Sequence, residues 1–192
     1  MHLPFHPRFV LLNSLSTNIV AVFMNVPQDS KLPLITLLGY LAATCAAAVI
    51  GSYFTLQVSI TQYYAALIKP AWAPPGWIFA PVWTALYICM CLAIWQVWRK
   101  KPMRPSRAYT QAHTCWWGQL ALNALWPVVF WLKPAGMAAF VVCAALAVAV
   151  WGCVAIMRRI SMVAAVLMLP YACWVCFATA LSWALWRMNA AV

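Results

Sequence analysis

Five long runs without a charged side chain decide what this chain can fold into. The runs cover residues 33–54, 76–98, 108–131, 134–157 and 160–186. Each run is longer than the roughly 20 residues that an α-helix needs to cross the hydrocarbon core of a bilayer. Because lipid offers the backbone no hydrogen-bond partners, such segments fold as helices. The sequence therefore predicts an all-α membrane protein, a bundle of five transmembrane helices with short connections.

The composition also indicates a membrane protein. Of the 192 residues, 67% are hydrophobic and 7% are charged, whereas a soluble domain carries about 25% charged residues. We expect residues 31–192 to form the five-helix transmembrane domain. We expect residues 1–30 to be an accessory amino-terminal extension, with a targeting peptide or an interfacial helix as alternatives.

The distribution of charge predicts the orientation of the chain in a lipid bilayer. The formal net charge is +11 and the lone acid is Asp29. Nine basic residues fall on the amino-terminal side of five spans: Arg8, Lys31, Arg99, Lys100, Lys101, Arg104, Arg107, Arg158 and Arg159. Three fall on the opposite side: Lys69, Lys133 and Arg187. The positive-inside rule then predicts a cytoplasmic amino terminus. Basic residues at helix ends, rather than on a soluble face, argue against a nucleic-acid partner.

A loop rich in proline and tryptophan precedes the second run. Proline fixes φ and removes a hydrogen-bond donor, so residues 69–76 are not expected to form a regular helix. The prolines concerned are Pro70, Pro74, Pro75 and Pro81, the last falling in the first turn of the next helix. The stiff loop carries Trp72 and Trp77. We expect a structured first loop that acts either as a lid over a ligand or as an anchor at the membrane interface. At the other end of the second run, Trp95 and Trp98 are expected to be interfacial anchors.

Three of the predicted helices each align polar or aromatic side chains on one face. The spacing i, i+4, i+7 places Trp83 with Tyr87, and Trp174 with Ala178, while Asn123 shares a face with Trp126. An amide inside lipid needs a hydrogen-bond partner or a polar cavity. Asn123 therefore either forms a hydrogen bond to a neighbouring helix or lines a cavity, and the sequence leaves both alternatives open. The aromatic faces likewise either pack against other helices or bind a ligand.

The carboxylates that many membrane enzymes and proton-coupled transporters use are missing from the five runs. No Asp or Glu lies in any of them, so a carboxylate relay has no candidates and general acid–base catalysis has almost none. We find no metal-ligand cluster, and Cys173 and Cys176 form a CxxC inside a predicted membrane helix without a nearby charge. The remaining hypothesis is that the helices form a binding cavity for a flat, largely apolar molecule.

Three sequence motifs resemble those of a known protein family. The pattern KPxWxPPxWxFxPVWxxLY at 69–87 resembles the signature of the translocator protein family, the tryptophan-rich sensory proteins. The strings GQLALNALW at 118–126 and LPYACWVCFATALSWALWRMN at 169–189 are similar to the third and fifth helices of that family. The resemblance implies a first loop that covers a ligand pocket, a tetrapyrrole ligand such as protoporphyrin IX or haem with no obligatory cofactor or metal, and a possible homodimer.

The resemblance also implies which residues contact the ligand. They are Tyr64, Trp72, Trp83, Tyr87, Asn123, Trp126, Trp174 and Ala178. Tyr63 stands where the family usually has Trp before the Tyr at 64, so the sequence departs from the pattern there. Lys69 is a candidate partner for a propionate, or else a lysine that snorkels to the headgroups.

Three functions follow from these expectations. The first is a tetrapyrrole-binding sensor, carrier or regulator of porphyrin levels under stress. The second is light- and oxygen-dependent degradation of porphyrin, in which Trp72 and Trp83 would be the catalytic residues. The third is a small-molecule transporter, which the missing intramembrane carboxylates disfavour. We expect the bacterial inner membrane, or alternatively the mitochondrial outer membrane, as the location.

Overall fold

The computed structural model describes residues 32–57, 66–102, 104, 106–132 and 136–190. These ranges contain five long α-helices, a short 3-10 turn and no strand. The helices are α1 (Leu32–Gln57), α2 (Phe79–Arg99), α3 (Arg107–Leu132), α4 (Met137–Arg158) and α5 (Met162–Asn189), and the 3-10 turn is Gly76–Ile78. The helices fall on the five predicted runs, so the all-α fold class is confirmed.

Four of these helices are long and apolar enough to cross a membrane. The candidate spans among the described residues are Leu34–Tyr53, Gly76–Arg99, Met137–Arg158 and Met162–Asn189. Helix α3 is not among them, because Gln111, His113, Gln119 and Asn123 lower its hydropathy. The prediction of five spans is therefore supported for four helices, and α3 is the polar helix of the set.

The contacts described from here on belong to the unit Thr36–Val192. Within it, α4 packs against both α3 and α5, and α2 packs against α5. The connection between α4 and α5 is short, and Ser161 caps α5 because its hydroxyl accepts a hydrogen bond from the backbone N–H of Ala164 at 3.4 Å. A connection this short makes α4 and α5 adjacent, antiparallel helices.

The core also buries a residue that the sequence assigned to the interface. Trp95 is only 7% exposed, and the guanidinium of Arg99 lies 4.9 Å from the centre of its ring. The expectation that Trp95 anchors α2 at the headgroups is wrong, because neighbouring helices cover its indole and leave Arg99 to form the cation–π contact. Position near a helix end did not determine which way the ring faces.

The loop before α2 is tied to the far end of α5. The side-chain amide of Asn189 donates to the carbonyl of Ile68 at 2.9 Å and accepts from the N–H of Ile68 at 3.0 Å. Inside the loop, the N–H of Ala73 donates to the carbonyl of Pro70 at 2.9 Å. The first loop is thus held at a defined place by the last turn of the last helix.

Helix α1 approaches α3 closely at a glycine. Gly51 is buried, and a Cβ at this position would lie 3.3 Å from the Cγ of Pro127, which sits inside α3. A hydrogen in place of a side chain lets the Pro127 ring pack against the backbone of α1, and small residues commonly allow such close packing in membrane bundles. At Gly39, also on α1, a Cβ would meet nothing within 4 Å.

This contact predicts a difference between two glycine substitutions on one helix. Gly51→Val should lower the melting temperature of the full-length protein in detergent, because overpacking a tight contact costs about 1–3 kcal/mol. Gly39→Val, the matched control, should leave the melting temperature unchanged. Equal effects of the two variants in a thermal unfolding assay would contradict the close approach of α1 to Pro127.

Candidate ligand-binding site

A buried amide joins three helices inside the bundle. Asn123 of α3 is 3% exposed. The hydroxyl of Tyr87 on α2 donates to its Oδ1 at 2.7 Å, and its Nδ2 donates to the hydroxyl oxygen of Tyr171 on α5 at 2.8 Å. This Tyr87–Asn123–Tyr171 bridge is the interhelical hydrogen bonding that was one of the two readings of Asn123. It satisfies an amide that would otherwise be costly to bury.

Trp83 packs beside this bridge. Its ring centre lies 5.7 Å from that of Tyr87, one turn later on α2, and 6.2 Å from that of Tyr171 in an edge-to-face arrangement. The i, i+4 spacing of Trp83 and Tyr87 therefore does place both side chains on a face directed toward α5. Trp83 remains partly exposed, so part of its ring is not covered by protein.

A second group of aromatic rings lies where the loop meets α5. The ring of Trp174 contacts Phe79 at 6.0 Å and Phe177 at 5.4 Å between centroids. Phe177 also receives the edge of Trp72 at 5.7 Å. Trp72 is half exposed, whereas Trp77 is 73% exposed. Of the two loop indoles, Trp72 is therefore the one that packs against α5.

The indole N–H groups of two tryptophans in this region find no acceptor among the residues that the structure describes. The Nε1 atoms of Trp126 and Trp174 are buried and make no hydrogen bond to any described residue. Trp126 stacks on Phe130, with ring centres 5.1 Å apart. Buried donors are nearly always paired in folded proteins. Each unpaired N–H is therefore a place where a bound molecule can supply an oxygen or nitrogen acceptor.

An open groove of about 430 Å³ runs between α2 and α5. Its volume lies in the range of about 300–1,000 Å³ that is usual for small-molecule sites. The lining is almost entirely apolar and consists of Val82, Leu86, Pro170, Cys173, Trp174 and Phe177. Of the residues that the sequence predicted to contact ligand, Trp174 lines this groove, while Trp83, Tyr87 and Asn123 do not.

The remaining predicted residues fall in three places. Ala178 is buried on α5, one turn after Trp174. Lys69 is partly buried in the loop. Tyr64 lies outside the described residues. Among the described residues of the predicted set, Trp83, Tyr87 and Asn123 therefore lie at the bridge, and Trp72 and Trp174 lie in the ring cluster where the loop meets α5.

Sequence reasoning missed two residues of this region. Tyr171 is fully buried and completes the bridge, and it shares a helix face with Trp174 and Ala178 at i, i+3 and i+7, which is the signal that would have found it. Gln119 is fully buried, and neither atom of its side-chain amide has a hydrogen-bond partner among the described residues. It stands one turn before Asn123.

Comparison with known proteins now decides the family. Residues 40–187 match the family model described as the TspO/MBR family. The chain belongs to the TspO/MBR family. It is 34% identical over 157 residues to the tryptophan-rich protein TspO of Archaeoglobus fulgidus, covering 82% of this chain and 99% of that protein. It is 32% identical over 169 residues to the translocator protein of Homo sapiens, covering 82% of this chain and 92% of that protein.

A third relative is the tryptophan-rich sensory protein of Cereibacter sphaeroides, 33% identical over 156 residues, which is 79% of this chain and 90% of that protein. The TspO/MBR match begins within α1 and ends at Arg187 in α5, so it includes the bridge, the loop and the groove. Together with the four apolar helices, it makes this chain a multi-pass membrane protein.

The bridge predicts that one hydroxyl stabilises the TspO/MBR bundle. Tyr171→Phe removes the acceptor of the Asn123 Nδ2 donor and should lower stability by about 0.6–2 kcal/mol, the range for hydrogen bonds between membrane helices. Tyr109→Phe, at a hydroxyl for which the described residues provide no hydrogen bond, is the control and should change it by less than about 0.5 kcal/mol. Thermal unfolding in detergent that shows equal losses for both would contradict the bridge.

Proposed function

We propose that this chain binds a tetrapyrrole, a porphyrin or haem, within its helix bundle and acts as a sensor, carrier or regulator of porphyrin levels under stress. The observation that carries the proposal is the pair of buried indole N–H groups of Trp126 and Trp174, which have no hydrogen-bond partner among the described residues. Tetrapyrroles combine a flat apolar ring, which stacks on indoles, with carboxylates that accept hydrogen bonds. Binding of a tetrapyrrole would give these two donors an acceptor.

The groove between α2 and α5 is the proposed route to these donors. Its walls are apolar, and Trp174 belongs both to its lining and to the buried ring cluster. An apolar ligand dissolved in the bilayer would enter such a groove from the lipid side. We propose that the macrocycle lies against Trp174, with Trp83, Tyr87, Asn123 and Ala178 behind it.

The loop is the proposed lid. It is fixed at Ile68 by Asn189, and Trp72 rests on Phe177 at the edge of the groove. Lys69 lies in the same loop and would pair with a propionate at the mouth of the site. Tyr64 is proposed as a further contact. The prolines keep the loop in one conformation and reduce the entropy that closure would otherwise cost.

We also propose that α3 crosses the membrane as the fifth span. Two of the polar residues that lower its hydropathy, Gln119 and Asn123, are buried against other helices rather than exposed to lipid. Five crossings place the amino terminus in the cytoplasm by the positive-inside rule, with the bacterial inner membrane as the proposed location and the mitochondrial outer membrane as the alternative.

A homodimer through the exposed apolar side of α4 is proposed with this topology.

Binding is favoured over transport coupled through carboxylates because the five helices contain no Asp or Glu. The lone acidic residue, Asp29, precedes α1. Proton- and cation-coupled carriers depend on carboxylates or histidine relays inside the membrane.

A light-dependent oxidation of the bound porphyrin is a second candidate function. The observation that favours it is the contact of Trp83 with both tyrosine rings of the bridge, which places three oxidisable rings together. We expect illumination with oxygen to convert bound protoporphyrin IX to a new absorbing product, and darkness to prevent this. Trp83→Phe and Trp72→Phe should slow product formation, while Trp183→Phe, half exposed on α5, should not. Product formation unchanged in Trp83→Phe would exclude this candidate.

The binding proposal is tested at a single N–H group. Trp174→Phe keeps an aromatic ring but removes the buried donor, and should weaken protoporphyrin binding about 3- to 10-fold, the value of one hydrogen bond. Trp183→Phe is the matched control on the same helix and should leave affinity unchanged. Absorbance titrations of the porphyrin in detergent measure both. Equal affinity of wild type and Trp174→Phe would contradict the proposed role of the indole N–H.

A further inference from the structure

Two cysteine thiols from neighbouring helices meet between α3 and α4. The Sγ of Cys153 lies 2.7 Å from the Sγ of Cys115, and the thiol of Cys115 donates to the carbonyl of Ala149 at 3.3 Å. Cys153 is fully buried and Cys115 is partly exposed. A Cβ on Gly152 would lie 3.8 Å from the Cys115 sulfur. The Cys115 thiol is therefore packed onto the backbone of α4, directly beside Cys153.

The distance between the sulfurs is short for atoms that are not bonded. A disulfide has its sulfurs about 2.05 Å apart, so this pair needs to close by about 0.7 Å. We propose that Cys115 and Cys153 are an oxidisable dithiol, which a hydroperoxide converts to a disulfide between α3 and α4 within one chain. The proposal is independent of the proposed ligand.

The reaction balances with hydrogen peroxide as the oxidant. The sulfur of Cys115, the more accessible of the two, attacks one peroxide oxygen; the O–O bond breaks and gives a sulfenic acid and one water. The sulfur of Cys153 then attacks the Cys115 sulfur, the S–O bond breaks, and a second water leaves with the thiol proton. The two thiols lose two electrons in total, and the peroxide is reduced to two waters.

The other cysteines are placed differently. All eight are free. Cys173 and Cys176, which form the CxxC, are exposed; Cys173 lines the groove between α2 and α5, and the Cys176 sulfur accepts from the indole of Trp151 on α4 at 3.3 Å. Cys143 receives a hydrogen bond from the hydroxyl of Thr179 at 3.4 Å. Within the described residues, Cys115 and Cys153 are the pair in which one sulfur is hydrogen-bonded to the other.

A disulfide here would fix α3 against α4 two helical turns before Asn123. Because Asn123 forms the bridge to α2 and α5, the oxidised protein would hold the polar helix of the bundle in one position. A covalent link between distant positions also restricts the unfolded chain. The dithiol thus offers a reversible way in which oxidising conditions stiffen the bundle.

The test uses the full-length protein, reduced and purified in detergent, and treated with hydrogen peroxide. We expect the intact mass to fall by two hydrogen atoms on oxidation, and six rather than eight cysteines to carry N-ethylmaleimide when the oxidised protein is then unfolded and alkylated. Digestion should yield a peptide in which Cys115 is joined to Cys153, and dithiothreitol should separate it. The Cys173→Ser/Cys176→Ser double variant should give the same linked peptide, whereas Cys153→Ser should not.

A second measurement tests for the disulfide in the wild-type protein, without substituting Cys115 or Cys153. Oxidation should raise the melting temperature of the wild-type protein, and dithiothreitol should return it to the starting value. The proposal would be overturned if peroxide oxidised other cysteines while Cys115 and Cys153 were still fully alkylated by N-ethylmaleimide. Links between two copies of the chain, or a sulfenic or sulfinic acid on Cys115 without a bond to Cys153, would also overturn it.

Discussion

One amide in the interior of the bundle fixes how the helices are arranged. Asn123 has a donor and an acceptor that lipid cannot satisfy, and the hydroxyls of Tyr87 and Tyr171 supply both partners. The three side chains come from three helices, so α2, α3 and α5 must keep the rotation that brings them together. The indole of Trp116 adds a further link of the same kind, because its N–H donates to the carbonyl of Met90 on α2 at 3.2 Å. Polar groups that are expensive in lipid thus specify the packing of an otherwise apolar chain.

The same interior also contains polar groups that the fold leaves unpaired. The indole N–H groups of Trp126 and Trp174 and both amide atoms of Gln119 have no partner in the part of the chain that the structure describes. Packing alone does not require these donors, since phenylalanine or leucine would fill similar space without a desolvation cost. The unpaired donor of Trp174 lies at the groove, which is why the proposal for a ligand starts there, whereas the paired groups of the bridge hold the helices together.

Helix α5 connects these two sets of residues with the loop. Its face carries Tyr171 in the bridge, Trp174 at the groove and Phe177 under Trp72. Its last turn holds the loop through Asn189. The contacts of the loop, the groove and the bridge therefore lie along one helix rather than on separate elements.

The number, type and approximate length of the helices were readable from the chain, since uncharged apolar runs and prolines act locally. The Pro/Trp motif identified the family for the same reason, and the i, i+4 spacing placed Trp83 and Tyr87 together. Which partner each residue finds depends on how the helices rotate against one another, and no local pattern contains that rotation. The pairing of Asn123 with Tyr171, the burial of Trp95 and the meeting of Cys115 with Cys153 across 38 positions of sequence were therefore decided only when the helices packed.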